Sequence, residues 1–160
     1  MKITFDPLQE DEYPQWFSQS TQSYADDKVR SKQWTSEGAL ERACADTNRF
    51  LPDGVRTADH HICFIVDALS QEKVGSIWWH ISNRFGRRIG FIFDFHVYEG
   101  YRRRGYATAA LKCLKEKMKA EKIEALSLHV FSFNEGAIRL YENLGFSTTS
   151  MNMTLELSSK

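Results

Sequence analysis

Residues 89–130 show a strand pattern, a short turn, a helical pattern and a second strand pattern in direct succession. Two strands joined through one helix run parallel, because the crossover returns the chain to the end of the sheet from which it started. The strands are predicted over residues 89–97 and 126–130. This unit therefore places a parallel strand pair within the fold. The helix between the strands carries an apolar stripe formed by Ala107, Ala110, Leu111, Leu114 and Met118.

The rest of the chain adds antiparallel strands and further helices around this unit. The two middle strands and the strand at residues 89–97 follow one another as an antiparallel meander. We therefore expect an α/β (α+β) fold, in which helices flank a mixed, largely antiparallel central sheet, and a single domain over residues 1–160. Side-chain patterns predict further strands at residues 3–5, 61–67, 74–81 and 151–157, and further helices at residues 9–32, 36–50 and 134–144.

Composition narrows the class of protein and its partners. The chain has 21 Lys and Arg residues against 21 Asp and Glu residues, a formal net charge of +0, which disfavours nucleic acid and membrane surfaces as partners. The longest fully apolar run, residues 62–66, is far below the roughly 20 residues of a membrane-spanning helix. The three cysteines lack metal-ligand spacing, so we expect no metal and a reduced, cytoplasmic protein.

The turn before the central helix has the chemistry of a phosphate site. Gly105 permits a backbone conformation that side chains disfavour, and Ala107 keeps the first helical turn small. Unpaired N–H groups and the helix dipole attract anions, and neighbouring arginines add charge and paired donors. A solvated basic surface turn is the alternative interpretation. The segment predicted to bind a diphosphate comprises Arg102, Arg103, Arg104, Gly105, Tyr106, Ala107 and Thr108.

The spacing Arg102-x-x-Gly105-x-Ala107 resembles the acetyl-CoA signature of the GCN5-related N-acetyltransferase (GNAT) family. The resemblance implies an acyl-CoA N-acyltransferase fold whose two central parallel strands splay apart. It also implies transfer of an acetyl group from acetyl-CoA to a primary amine by direct attack in a ternary complex. Phe95 and Val97 of the central strand would then contact the cosubstrate. A second coenzyme motif of the family resembles Asn134, Ala137, Tyr141 and the run Leu144-Gly145-Phe146.

Three side chains are candidates for proton transfer in such a reaction. Tyr141 matches the family's Tyr and is the predicted general acid, with a core aromatic residue as the alternative. His129 is the favoured general base, because it projects from the polar side of its strand and titrates near neutrality. Asp94 either orients His129 or is itself the base, and a β-bulge would change where Asp94 points. The alternative interpretation of His129 and Asp94 is that both are partly buried polar groups that hydrogen-bond to the backbone.

A second class of function fits the same motifs. A non-catalytic acyl-CoA-binding regulatory protein needs the phosphate turn but no general acid, so the presence of Tyr141 favours an enzyme. The acceptor stays open between small-molecule and peptide amines, and the sequence also leaves a homodimer open. A nucleic-acid module is disfavoured by the balanced charge.

Overall fold

The computed structural model describes residues 1–158 and places five strands in one sheet. The sheet order is β1-β2-β3-β4-β5, antiparallel except for the parallel pair of β4 and β5. The predicted mixed, largely antiparallel fold with flanking helices is confirmed. The strands are β1 (Ile3–Pro7), β2 (His60–Asp67), β3 (Lys73–Arg84), β4 (Arg87–Val97) and β5 (Ala125–Leu128). The helices are α1 (Tyr13–Arg30), α2 (Ala39–Phe50), α3 (Tyr106–Ala120) and α4 (Glu135–Asn143).

Successive residues of a strand point to opposite faces of the sheet. Both faces carry apolar side chains, and helices cover both. Two adjacent tryptophans of β3 show this alternation. Trp78 packs against Trp16 of α1, with ring centroids 5.7 Å apart, whereas Trp79 is buried in the cluster that contains Leu114 of α3. The sheet therefore has an α1 side and an α3 side, and each side chain of β4 belongs to one of them.

The parallel pair of β4 and β5 is short and opens into a gap. Its register runs from Ile89 opposite Ala125 to Ile92 opposite Leu128, where β5 ends. β4 continues beside β3, so residues 93–97 have no strand partner on the β5 side within the described chain. The predicted parallel pair within a mixed sheet is confirmed, with β5 at the end of the sheet, and the early end of β5 leaves main-chain groups of β4 at the edge of the gap.

Two predicted strands differ from the structure. Residues 151–157 alternate apolar and polar side chains, but they pair with no strand of the described chain. Alternation produces a strand only where a neighbouring strand supplies hydrogen-bond partners, so this prediction is wrong for the isolated chain. The strand predicted over residues 126–130 ends at Leu128, which leaves His129 beyond the ladder.

Gly75 of β3 lies against the backbone of β4. A methyl group added there would overlap the carbonyl oxygen of His96. We expect Gly75→Ala to lower the free energy of unfolding by about 1–3 kcal/mol, because the strand backbone must shift to relieve the overlap. Gly100→Ala is the matched control, since nothing lies within 4 Å of its added methyl group. Equal urea midpoints for the two variants would contradict the close approach of β3 and β4.

Candidate active site

The start of α3 carries a row of main-chain N–H groups without acceptors. Gly105 is the N-cap of α3 with φ +88°, and Arg103 has φ +60°. The Gly105 carbonyl accepts a helical hydrogen bond from Ala109. Within the described chain, none of the N–H groups of residues 103–108 has a hydrogen-bond acceptor. Such a row of N–H groups at a helix start forms an anion site.

The side chains of the turn add positive charge and leave these N–H groups open. Arg102, Arg103 and Arg104 are exposed. The Arg102 Nε donates to the carbonyl oxygen of Val97 at 3.0 Å, which holds the turn beside the end of β4. The Arg104 guanidinium lies 5.9 Å from the ring centroid of Tyr101. A diphosphate bound here would meet both main-chain and guanidinium donors.

Tyr106 belongs to this turn through its main chain, while its ring points to the neighbouring loop. Its hydroxyl donates to the Asp67 carboxylate at 2.8 Å, and its ring lies edge-on to Tyr101. This hydrogen bond raises the pKa of Tyr106 and lowers the pKa of Asp67. The contact ties the start of α3 to the end of β2. It holds the first helical turn, with the predicted residues Ala107 and Thr108, in its place beside the sheet.

The gap between β4 and β5 is lined on one side by the main chain of β4. The Tyr98 N–H donates to the Val74 carbonyl of β3 at 2.9 Å. Because the N–H groups of a strand alternate between its two edges, the Val97 N–H faces the opposite edge, toward the gap. The Phe95 side chain packs with the core on the α3 side. Phe95 can therefore reach a ligand in the gap only through its main chain.

A bulge in β4 turns Asp94 toward α1. The register of β3 with β4 shifts there and leaves Phe93 as the extra residue. The Ser20 hydroxyl of α1 donates to Asp94 Oδ2 at 3.0 Å. Burial raises the pKa of Asp94 above its ordinary value of 3.8, and the hydrogen bond from Ser20 partly offsets this shift. A carboxylate with a raised pKa is a stronger base than an exposed one, so Asp94 is suited to accept a proton.

Tyr141 on α4 lies within the electrostatic reach of Asp94. Its ring packs with the core on the α3 side and lies 5.6 Å from the Phe146 ring. Burial, and then the negative charge of Asp94, raises the pKa of Tyr141 to about 12. The phenol therefore keeps its proton throughout the neutral pH range and is a hydrogen-bond donor. The charge of Asp94 thus acts on Tyr141 at a distance, because Asp94 faces α1 whereas the ring of Tyr141 packs with the core on the α3 side.

The structure does not join His129 to Asp94. His129 is exposed after the end of β5, and its ring lies edge-on to Phe131 at 4.9 Å. Asp94 bonds to Ser20, and no hydrogen bond within residues 1–158 supports it as the orienting partner of His129. Partial desolvation of the ring, and then the positive charge of Lys28, lowers the pKa of His129 below 6.5. His129 is thus neutral at pH 7 and a weaker base than an ordinary histidine.

The second predicted coenzyme motif forms the two ends of α4. Asn134 Oδ1 accepts a hydrogen bond from the Ala137 N–H at 3.2 Å, so Asn134 is the N-cap of the helix, as predicted. At the other end Gly145 has φ +97°, and the Phe146 N–H donates to the Tyr141 carbonyl. The motif therefore sets the length of α4 and the position of Tyr141. Contact of Asn134 and Ala137 with a coenzyme stays a prediction.

Ser20 and Lys28 were not among the predicted site residues, although they act on the two base candidates. Both follow the buried Trp16 of α1 in steps of four residues. Ser20, one step away, shares the helix face of Trp16, whereas three steps turn Lys28 about 120° around the helix. A polar residue four positions after a buried aromatic residue is the sequence signal that identifies Ser20.

Three further features of the described chain concern metal binding, membrane insertion and the cysteines. In residues 1–158, no group of three or more His, Cys, Asp or Glu side chains is arranged to hold a metal ion. Over the same range, no helix combines the length and apolarity needed to cross a membrane. Cys44, Cys63 and Cys113 carry free thiols.

A mixed sheet whose parallel strands separate at one end, with helices on both faces, is the fold of an acyltransferase. The chain belongs to the acetyltransferase (GNAT) family, whose profile matches residues 7–146. It is 34% identical over 157 residues to the uncharacterized N-acetyltransferase YycN of Bacillus subtilis (strain 168), covering 98% of this chain and 100% of YycN. A second relative from that organism, the uncharacterized N-acetyltransferase YdgE, is 29% identical over 157 residues, with 98% and 99% covered.

Solved structures agree with this assignment. The crystal structure of YycN matches with a TM-score of 0.93, over 99% of this chain and 100% of that chain, at 34% identity. An acetyl transferase structure from Pyrococcus furiosus shares the fold at 19% identity, with a TM-score of 0.68 over 98% and 100% of the two chains. The resemblance to the GNAT family noted from the two motifs is confirmed.

Proposed function

We propose that the chain transfers an acetyl group from acetyl-CoA to a primary amine by direct attack within a ternary complex. The observation that carries this proposal is the gap between β4 and β5, with acceptor-free N–H groups of residues 103–108 beside its open end. A gap between two strands suits the extended arm of a coenzyme A thioester, and a row of N–H groups suits its diphosphate. The acceptor is a small-molecule or peptide amine.

The cosubstrate would be held by main-chain and side-chain groups around the gap. The turn would bind the diphosphate through its N–H groups and through Arg102, Arg103 and Arg104. The thioester supplies an activated acyl group for the amine to attack. The Val97 N–H, which faces the gap, would stabilise the negative charge that develops on the carbonyl oxygen. Phe95, Asn134 and Ala137 would complete the contacts, Phe95 through its main chain.

Asp94 is the better supported general base. An amine with a pKa of about 10.4 is protonated at pH 7, and its deprotonation costs about 4.6 kcal/mol. Asp94 is half-buried beside the gap, and its pKa is raised, so it can take this proton directly or through water. His129 is exposed, and its pKa is lowered, which weakens it as a base. The preference for His129 that the strand pattern suggested is therefore reversed in this proposal.

Tyr141 would act on the departing thiolate by hydrogen bonding. Its pKa of about 12 lies above that of a thiol, about 8.5, so complete transfer of the phenolic proton is uphill by roughly 5 kcal/mol. A hydrogen bond to the developing thiolate needs no complete transfer and still lowers the barrier. Tyr141 is therefore assigned as a donor that stabilises the leaving group, and water can supply the final proton.

Tyr141→Phe is expected to lower kcat about 10²-fold, at the low end of the range for acid–base groups, because only a hydrogen bond is lost. The ring stays, so the affinity for acetyl-CoA and the thermal midpoint should change little. Tyr13→Phe is the matched control, since the Tyr13 hydroxyl is buried without a partner in the described chain. Steady-state kinetics of both variants provide the measurement. Equal kcat values for Tyr141→Phe and the parent would leave Tyr141 as a core residue only.

The proposal is tested by thiol release from acetyl-CoA in the presence of a panel of primary amines. The panel contains small-molecule amines, polyamines, and peptides that offer an N-terminal or a lysine amine. We expect release that depends on one class of amine, with intersecting double-reciprocal plots, as direct attack in a ternary complex requires. Parallel plots would indicate a covalent acyl-enzyme instead. Tight coenzyme A binding without turnover on any amine would favour the non-catalytic acyl-CoA-binding regulatory protein.

A further inference from the structure

The α1 side of the sheet carries a group of aromatic rings that stay partly exposed. Phe93 is the centre of the group, and its ring stacks on the buried Trp78 with centroids 4.5 Å apart. Four further rings surround Phe93 at centroid distances of 4.8, 4.9, 5.6 and 6.4 Å, namely Phe50, Phe91, His60 and His80. Phe50 is 45% exposed, and the other rings around Phe93 are half-buried. We call Phe93 and these four residues the aromatic platform.

The aromatic platform adjoins the candidate base. Phe93 precedes Asp94 in the chain, and the bulge in β4 leaves both side chains on the α1 side of the sheet. Phe93 stacks on Trp78, whereas Asp94 accepts the hydrogen bond from Ser20 of α1. An acceptor whose amine lies at Asp94 therefore has aromatic rings next to the rest of its body.

The aromatic platform is uncharged at neutral pH. The Trp78 Nε1 donates to the His60 Nδ1 at 2.9 Å, so this nitrogen carries no proton and the imidazole is neutral. The His80 ring stacks on the His60 ring at 4.2 Å. Burial lowers the pKa of both histidines, that of His60 to about 4. The platform contains no carboxylate that would hold a second cationic group, whereas its ring faces and edges suit a flat apolar group.

We propose that the aromatic platform is a specificity site and that the acceptor is an arylalkylamine, a primary amine joined to an aromatic ring by a short chain. This inference rests on the proposed function, because it places the amine at Asp94. The ring of the acceptor would pack against Phe50 and Phe93. Aromatic pairs prefer offset-stacked or edge-on contacts, and the rings of the platform already contact one another in these ways.

The reaction at this site would be an ordinary amide-forming transfer. The ammonium group of the acceptor loses one proton through Asp94 to solvent. Its nitrogen then forms a C–N bond to the acetyl carbon while the C–S bond of acetyl-CoA breaks. The second proton of the amine ends on the thiol of coenzyme A. The products are an N-acetylated arylalkylamine and free coenzyme A.

Thiol release from acetyl-CoA with matched amines tests the inference. We expect kcat/KM for phenethylamine to exceed that for ethylamine about 10–100-fold, because the added ring is removed from water. It should exceed kcat/KM for cyclohexylethylamine about 2–10-fold, because only an aromatic ring gains the stacked and edge-on contacts. A linear diamine of similar length should be a poorer acceptor than phenethylamine.

Phe50→Ala should lower the ratio of kcat/KM for phenethylamine to that for ethylamine about 10-fold, since Phe50 supplies exposed ring surface to the aromatic platform. The ratio cancels any general loss of folded enzyme. Phe50→Leu keeps an apolar side chain and should restore part of the ratio. Phe85→Ala is the matched control, since Phe85 is fully exposed in the hairpin between β3 and β4 and should leave the ratio unchanged.

Calorimetric titration of phenethylamine into the chain with coenzyme A bound gives a measurement apart from turnover. Saturable binding that Phe50→Ala weakens would support the aromatic platform as an arylalkylamine site. If that binding occurs and no amine is acetylated, the proposed function alone fails. Turnover with equal kcat/KM for phenethylamine and cyclohexylethylamine, with a preference for the diamine, or with an unmoved ratio in Phe50→Ala would overturn this inference and leave the proposed function standing. Absence of phenethylamine binding would also overturn it.

Discussion

Asp94→Asn is expected to lower kcat/KM by about 10²–10⁴-fold while raising the free energy of unfolding at neutral pH. The loss of activity follows if Asp94 takes the proton of the amine. The gain in stability follows because burial raises the pKa of Asp94, so the folded chain carries an unfavourable charge at pH 7. The asparagine side chain removes that charge and can still accept the hydrogen bond from Ser20.

The sign of this stability effect follows from proton linkage. The pKa of Asp94 is higher in the folded chain than in the unfolded chain, where it is near 3.8. The folded state therefore binds the proton more tightly, and its stabilising contribution is complete below the unfolded value. The contribution is lost as the pH rises through the folded pKa. Asp94→Asn should flatten this part of the stability profile, which chemical denaturation at several pH values measures.

Two further variants distinguish Asp94 from His129 as the base. The hydrogen bond from Ser20 lowers the pKa of Asp94, so Ser20→Ala should move the acid limb of kcat/KM to higher pH if Asp94 is the base. The charge of Lys28 lowers the pKa of His129, so Lys28→Met should move the limb upward if His129 is the base. An unmoved limb in Ser20→Ala, together with retained activity in Asp94→Asn, would contradict the assignment of Asp94.

Gly105→Asp is expected to weaken coenzyme A binding at least about 10²-fold. Gly105 has φ +88° at the start of α3, a conformation that a side chain strains. An aspartate there also sets a negative charge among the N–H groups of residues 103–108. Like charges brought together at a binding site cost several kcal/mol, which corresponds to this loss of affinity. Calorimetric titration with coenzyme A provides the measurement.

Gly86→Asp is a closely matched control for this variant. Gly86 has φ +76°, and, as for Gly105, nothing lies within 4 Å of an added Cβ atom. It lies in the hairpin before β4, at the opposite end of that strand from Val97. The two substitutions add the same charge and a similar backbone strain, so their thermal midpoints should fall by similar amounts. Unchanged coenzyme A affinity in folded Gly105→Asp would exclude the turn as the diphosphate site.

Much of the fold could be predicted from short-range patterns. Runs of β-forming residues predicted β2 and β3, and the two-residue period predicted β4. Helical spacing predicted all four helices, because burial of one face shows directly in the spacing of apolar residues. The N-cap role of Asn134 and the helix end at Gly145 depend on single residue types with specific backbone chemistry, and both are confirmed. The arginine-rich turn before α3 is a local feature of the same kind.

Only the tertiary structure decided which chemical groups meet. The bulge at Phe93 turns Asp94 toward Ser20, a residue 74 positions away in the chain, and no local pattern encodes that contact. The early end of β5 separates His129 from Asp94, although their strands run side by side. The apolar alternation of residues 151–157 predicts a strand but cannot name its partner. The periodicity of a sequence shows which face of a segment is apolar. Strand pairing and the proton affinity of a side chain depend instead on groups that come close only when the chain folds.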